Sequence, residues 1–145
     1  MLINLTPHAL LFTVAAIGIS ETAYLIQKRI AAERPVCPIG EGCETVLNSK
    51  YNRLFLGIHN EVFGFLFYIA FAVIAALLVI GAGEIEAFLV PIAWLMLIGA
   101  TAASAFFIYL QWRVIRAWCF WCVMSAITVG LMDIILFWLT YSQGL

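Results

Sequence analysis

Four long apolar stretches, almost free of charge, limit what this chain can become. They run from about His8 to Gln27, Val62 to Gly83, Ala87 to Trp112 and Ala117 to Tyr141. The second and third hold no charged residue, the first only Glu21 and the fourth only Asp133. An α-helix rises ~1.5 Å per residue, so each stretch is long enough to cross ~30 Å of hydrocarbon. A closed barrel would need short alternating segments, and the sequence has none. The chain is 66% hydrophobic and 10% charged, whereas a soluble domain is about half apolar and a quarter charged. The expected fold is an all-α membrane protein, a four-transmembrane-helix bundle, with residues 1–145 as one domain. A net charge of −1 offers no basic stripe for nucleic acid.

The N-terminus has no basic region before its apolar run and no small-residue cleavage site, so the first stretch reads as a mature helix. The connections are unequal. A tight turn around Gly83, Glu84, Ile85 and Glu86 joins spans two and three, and Arg113 to Arg116 joins three and four. Between spans one and two lies a polar segment, about residues 28–61, with Cys37, Cys43, two prolines and several glycines. Long loops in small bundles are functional or disordered. Within it, "CETVLNSKYNRLF" has the pattern of a short amphipathic helix, with Val46, Leu47 and Phe55 expected to face the membrane.

Alternating topology puts the first and third connections on one side. Cys37 and Cys43 therefore share a face with the start of span four, where Cys119 and Cys122 lie. All four cysteines of the chain converge on one end of the bundle. Cys119-Phe120-Trp121-Cys122 is expected in the first turn of a helix, where residues three apart share a face. There the helix dipole stabilises a thiolate, the species that attacks disulfides. Cys37 and Cys43, in a Pro/Gly-rich segment, form a second pair able to swing. Two dithiols in reach suggest a relay. A four-thiolate structural zinc site and two inert disulfides stapling a tetraspan scaffold are the competing readings. A c-type haem is excluded because Val123, not His, follows Cys122. With no nucleotide fingerprint or haem ligand pair, and with Trp118, Phe120 and Trp121 around Cys122, a lipid-soluble quinone is the expected electron acceptor.

Four spans, a first loop with a cysteine pair and a C-x-x-C opening span four resemble the vitamin K epoxide reductase family over nearly the whole chain. Ser49, six residues after Cys43, and "NEVFG", Asn60 to Gly64, are similar to that family's loop serine and N-x-x-F-G segment. The cysteine order distinguishes it from the functionally similar DsbB family, in which the C-x-x-C comes early. The resemblance implies a quinone-dependent thiol oxidoreductase that makes protein disulfides. Cys119 and Cys122 would be the active pair, with Cys122 facing the quinone. Cys37 and Cys43 would be the shuttle pair, with Cys43 able to bridge transiently to Cys119. Asn60 would hydrogen-bond an oxygen of a ubiquinone- or menaquinone-type quinone, with Ser49, Phe63, Trp118 and His59 near the pocket; a helix N-cap is the alternative role for Asn60, and a local helix or loop role the alternative for Ser49. No metal is expected. Ala126 stands where animal members carry a tyrosine, which disfavours vitamin K epoxide as substrate. The chain ends at Leu145 without a fused thioredoxin-like domain, as in a prokaryotic member, so a separate thioredoxin-like partner is expected.

All seven Lys and Arg residues lie on the cysteine side, while the opposite turn carries Glu84 and Glu86. The positive-inside rule then places the redox face in the cytoplasm, although the family resemblance implies an exterior face. Cytoplasmic disulfide formation suits a hyperthermophile. Glu21, an intramembrane carboxyl, is a candidate proton route, a partner of Lys28 at the rim, or a protonated contact between helices. Asp133 is expected to snorkel or to bond between helices. His8 and His59 are read as interfacial, and Trp112, Trp118, Trp138 and Tyr141 as interfacial belts.

Overall fold

The computed structural model describes residues 2–53, 57–81 and 83–143. Among the described residues, five α-helices follow in chain order: α1 (Leu2–Ile30), α2 (Cys43–Leu47), α3 (Asn60–Ile80), α4 (Glu84–Tyr109) and α5 (Phe120–Gln143). A 3₁₀ turn, Lys50–Arg53, follows α2, and a π-helical turn, Leu110–Ile115, extends α4. Four of these helices are long and apolar enough to cross a membrane: Pro7–Ile30, Asn60–Ile80, Glu84–Ile115 and Phe120–Ser142. Outward-facing Leu66, Ile80, Phe88, Leu95, Ile134 and Phe137 are exposed. Apolar surface on that scale calls for a lipid or protein covering.

The helix ends follow from local chemistry. α1 closes with Lys28 and Arg29 in its last turn, where cations complement the dipole. Ala32 then adopts a left-handed conformation, and the Glu33 N–H returns to the Lys28 carbonyl at 2.9 Å. That is the hydrogen-bond pattern of a Schellman cap. Glu84 and Glu86, expected in the turn, instead form the acidic first turn of α4 after the positive-φ residue Gly83.

The long helices neighbour one another in a ring, α1–α3–α4–α5, which closes back on α1. α1 and α3 approach through small residues: the Tyr68 ring lies where a Cβ on Gly18 would be, and Gly64 faces Thr22. Small residues permit such close approach in membrane bundles. The main core, including Leu11, Phe71, Leu97, Met132 and Leu136, fills the half of the bundle away from the cysteines. A second buried cluster at the other end joins Leu25, Cys43, Val46, Leu47 and Cys119. Val46 and Leu47 thus turn inward against the bundle. The expectation that they face the membrane fails because both pack beside the cysteines; Phe55 lies outside the described residues.

Candidate active site

The cysteine pair at α5 departs from the expected geometry. Cys119 precedes the helix, whose first residue is Phe120, so it occupies the capping position rather than the first turn. Its carbonyl accepts the Val123 N–H at 3.1 Å, and its sulfur accepts the Cys122 N–H at 3.4 Å. A capping side chain makes this contact with the third helical residue. The Cys122 thiol foremost, then the Cys122 and Trp121 N–H groups, hold the Cys119 thiol below its ordinary value, against burial that pushes it up. The Cys119 N–H donates to Gln111 Oε1 at 2.8 Å. Gln111 is buried in the π-helical turn, a distortion that recurs at functional sites.

The loop closes over this pair in three ways. Gly42 lies directly on the backbone of Trp118, so that a Cβ there would overlap the Trp118 carbonyl oxygen and approach its nitrogen to 2.8 Å. The residues that follow each, Cys43 and Cys119, share one buried cluster, with Cys37 and Cys122 packed against it. Val36, beside Cys37, is gripped from both sides: its N–H donates to the Tyr24 hydroxyl at 2.9 Å, and its carbonyl accepts the Trp121 indole N–H at 2.7 Å. The Tyr24 and Trp121 rings pack with centroids 4.8 Å apart. A residue inside the C-x-x-C thereby holds the segment carrying the other pair. Cys37 and Cys43 form a disulfide, while Cys119 and Cys122 are free thiols.

The third tie is ionic. Glu61, at the head of α3, pairs with the Arg29 guanidinium and accepts the Asn52 amide at 3.0 Å. Arg29 and Asn52 also donate to the Leu47 carbonyl at 3.0 and 2.9 Å. Charge-assisted bonds of this kind are the strong ones. They fix α1, α3 and the loop to one another.

Below the loop opens a cavity of about 480 Å³, mostly apolar, between the helices. Cys122 lines it, whereas Cys119, with no exposed surface, does not. Of the residues expected near a pocket, Asn60, Ser49 and Phe63 are in its wall; Trp118 and His59 are not. Trp118 is half exposed on the outer surface and meets the site only through its backbone. His59 is the residue preceding α3, so Asn60 is the first helical residue and not its cap. Burial, and then the Arg29 charge, push the His59 imidazole below its ordinary value. The Asn60 amide donates to the Tyr51 carbonyl at 3.3 Å, and the Ser49 hydroxyl to the Val46 carbonyl at 2.7 Å.

Other polar residues also find partners. Lys28 pairs with Glu33, not Glu21. Glu21 faces Thr128 across the α1–α5 contact, and Asp133 accepts the Thr101 hydroxyl at 2.6 Å, joining α4 to α5. Tyr68, Gln111 and the Arg29–Glu61–Asn52 network were not singled out in the sequence. Only the adjacency of Glu61 to Asn60 hinted at the last.

A membrane-type helical bundle whose long loop lays a disulfide against a free, helix-capping thiol pair defines a membrane thiol–disulfide protein. The chain belongs to the vitamin K epoxide reductase family, whose profile matches residues 9–141, nearly its whole length. Membership makes it a membrane thiol oxidoreductase. No curated protein matches it.

Proposed function

We propose that the chain is a quinone-dependent thiol oxidoreductase that generates protein disulfides. A reduced thioredoxin-like protein attacks the Cys37–Cys43 disulfide with a thiolate, forms a mixed disulfide, and leaves oxidised. The reduced loop pair is reoxidised by the Cys119–Cys122 disulfide through a transient Cys43–Cys119 bridge. The resulting Cys119–Cys122 dithiol gives two electrons and two protons to a quinone, which becomes a quinol, and returns to the disulfide. Each thiol step is attack by a thiolate on a sulfur.

The observation that carries this reading is the division of the sulfurs: Cys43 packs with Cys119, and Cys122 alone of the four lines the cavity. An apolar chamber with an amide at Asn60 and a phenol at Tyr68 fits a ring bearing two carbonyls. The free thiols at Cys119 and Cys122 count against a scaffold with two structural bridges. The Cys37–Cys43 bond withholds two of the four thiolates a zinc site would use.

The basic residues gathered at the cysteine end favour a cytoplasmic redox face. A topology reporter fused after Gly83 should then signal from the exterior; a cytoplasmic signal there would overturn this orientation. For the reaction, purified protein with a reduced thioredoxin-like protein and a short-chain quinone should form quinol. Cys122→Ala should stop it and accumulate a Cys43–Cys119 or partner-linked disulfide. Quinol formation unchanged by that substitution would refute the route.

A further inference from the structure

Glu21 and a stripe of hydroxyls on α5 are the polar groups the electron path does not use. Cys122, Ser125 and Thr128 follow at intervals of three, so they lie along one side of α5, descending from the cavity sulfur into the membrane-spanning segment. Ser125 meets Tyr68 across the α3–α5 gap: the two hydroxyls are 2.7 Å apart, and both residues line the cavity. One turn further, the Thr128 hydroxyl lies 3.2 Å from Glu21 Oε1 and 3.4 Å from Oε2. Tyr68 is also within electrostatic reach of Glu21. Glu21 therefore meets the Thr128 hydroxyl of α5, with Tyr68 of α3 within electrostatic range. No Lys, Arg or His among the described residues forms an ion pair with it, and Lys28 is held by Glu33.

The Thr128 hydroxyl has one proton and two candidate acceptors, Glu21 and the Met124 carbonyl at 2.9 Å. When that proton serves Met124, the Glu21 contact is a hydrogen bond only if the carboxyl brings a proton of its own. A carboxyl that carries an exchangeable proton, buried without a counter-ion beside a redox cavity, is a functional candidate by default in a membrane.

Resting on the quinone reading above, we propose that Glu21 is the proton-holding residue of quinone reduction, passing its proton to the cavity through the Tyr68 and Ser125 hydroxyls. As the dithiol closes into a disulfide, two electrons go to the quinone. One of the two protons it needs comes from Glu21 by way of the Tyr68 phenol, and the other from one of the two thiols. Glu21 recovers that proton from those the two thiols release, along the Cys122–Ser125–Thr128 stripe. The sum is unchanged: dithiol and quinone give disulfide and quinol. Glu21 does not touch the substrate; it acts through Tyr68.

The test uses the full-length protein, dithiothreitol and a short-chain ubiquinone. Glu21→Gln should lower kcat for quinol formation at least about 100-fold, at the low end of what positioned proton transfer contributes, and should remove the alkaline limb of the kcat profile. KM and the quinone-free exchange between the two cysteine pairs should stay unchanged. Tyr68→Phe should reproduce the kcat loss with the carboxyl still present. In the absence of quinone, the infrared spectrum of the wild-type protein should contain a protonated-carboxyl C=O band that Glu21→Gln lacks. Wild-type kcat and pH profile in Glu21→Gln, or no such band in the wild type, would overturn the proposal. Should Glu21→Gln not fold, Tyr68→Phe and the wild-type spectrum decide. Wild-type protein that exchanges disulfides yet forms no quinol would sink the quinone reading itself.

Discussion

Replacing Gly42 with alanine tests whether close backbone contact sets the rate of exchange between the cysteine pairs. A Cβ there would stand 2.8 Å from the Trp118 nitrogen, and nearer still to its carbonyl oxygen, where ordinary contact begins at 3.4 Å. The obstacle is backbone, so no side chain can rotate aside. The loop must lift by at least the 0.6 Å between those two distances (3.4 − 2.8), and by more to clear the oxygen. Overpacking of this sort costs about 1–3 kcal/mol of stability. The kinetic effect should be larger. Reacting atoms must approach to about 3–3.5 Å, and a misplacement of about 1 Å costs on the order of 100-fold. Cys43 and Cys119, each next in sequence to one of the touching residues, should exchange about 100-fold more slowly in Gly42→Ala. The assay is a single-turnover quench: reduce the loop pair, trap free thiols with an alkylating reagent at successive times, and follow the Cys43–Cys119 species. A folded Gly42→Ala protein exchanging at the wild-type rate would refute the reasoning.

The Cys119 thiol should ionise at a lower pH than an ordinary thiol, read as ultraviolet thiolate absorbance, and Cys122→Ala should move that midpoint upward, since the Cys122 thiol is the largest stabiliser of the Cys119 thiolate. The linked effect on stability has the sign of a depressed pKa. The contribution is complete above the unfolded thiol value and declines as pH falls through the folded one, which denaturation of the reduced protein at a series of pH values would reveal. Trp121→Phe removes the indole bond to Val36, worth about 1 kcal/mol; hydrogen exchange at Val36 and Cys37 should quicken about fivefold. Arg29→Met leaves the Glu61 carboxylate, 2% exposed at its side chain, without its cation. Breaking a buried pair costs about 3–5 kcal/mol, and because Arg29 is itself 28% exposed about 2–3 kcal/mol of lost thermal stability in detergent is expected.

The bundle was legible because hydrocarbon asks one simple thing of a sequence, an unbroken apolar run, and four runs supply it. The convergence of the cysteines follows from counting crossings. What stayed hidden depends on phase and close approach. Gln111 sits in an apolar run like any tolerated polar residue, and only the π turn brings it to the Cys119 N–H. Gly42 reads as loop flexibility, yet its missing side chain is what lets two backbones touch. The expected lipid-facing Val46 and Leu47 went astray because an amphipathic pattern names an apolar face without saying what covers it. Cys119 was expected inside the helix, but the chain enters α5 one residue later, from a left-handed Arg116.

The unequal surroundings of the two α5 sulfurs have an outcome for the cell. The Cys119 sulfur is sealed from bulk solution and the Cys122 sulfur opens toward a greasy chamber, so small water-soluble thiols have no direct entry to the inner pair. On the proposed electron route, oxidising equivalents held there would reach a client only through the Cys37–Cys43 segment, so the choice of client would lie with whatever can engage that pair.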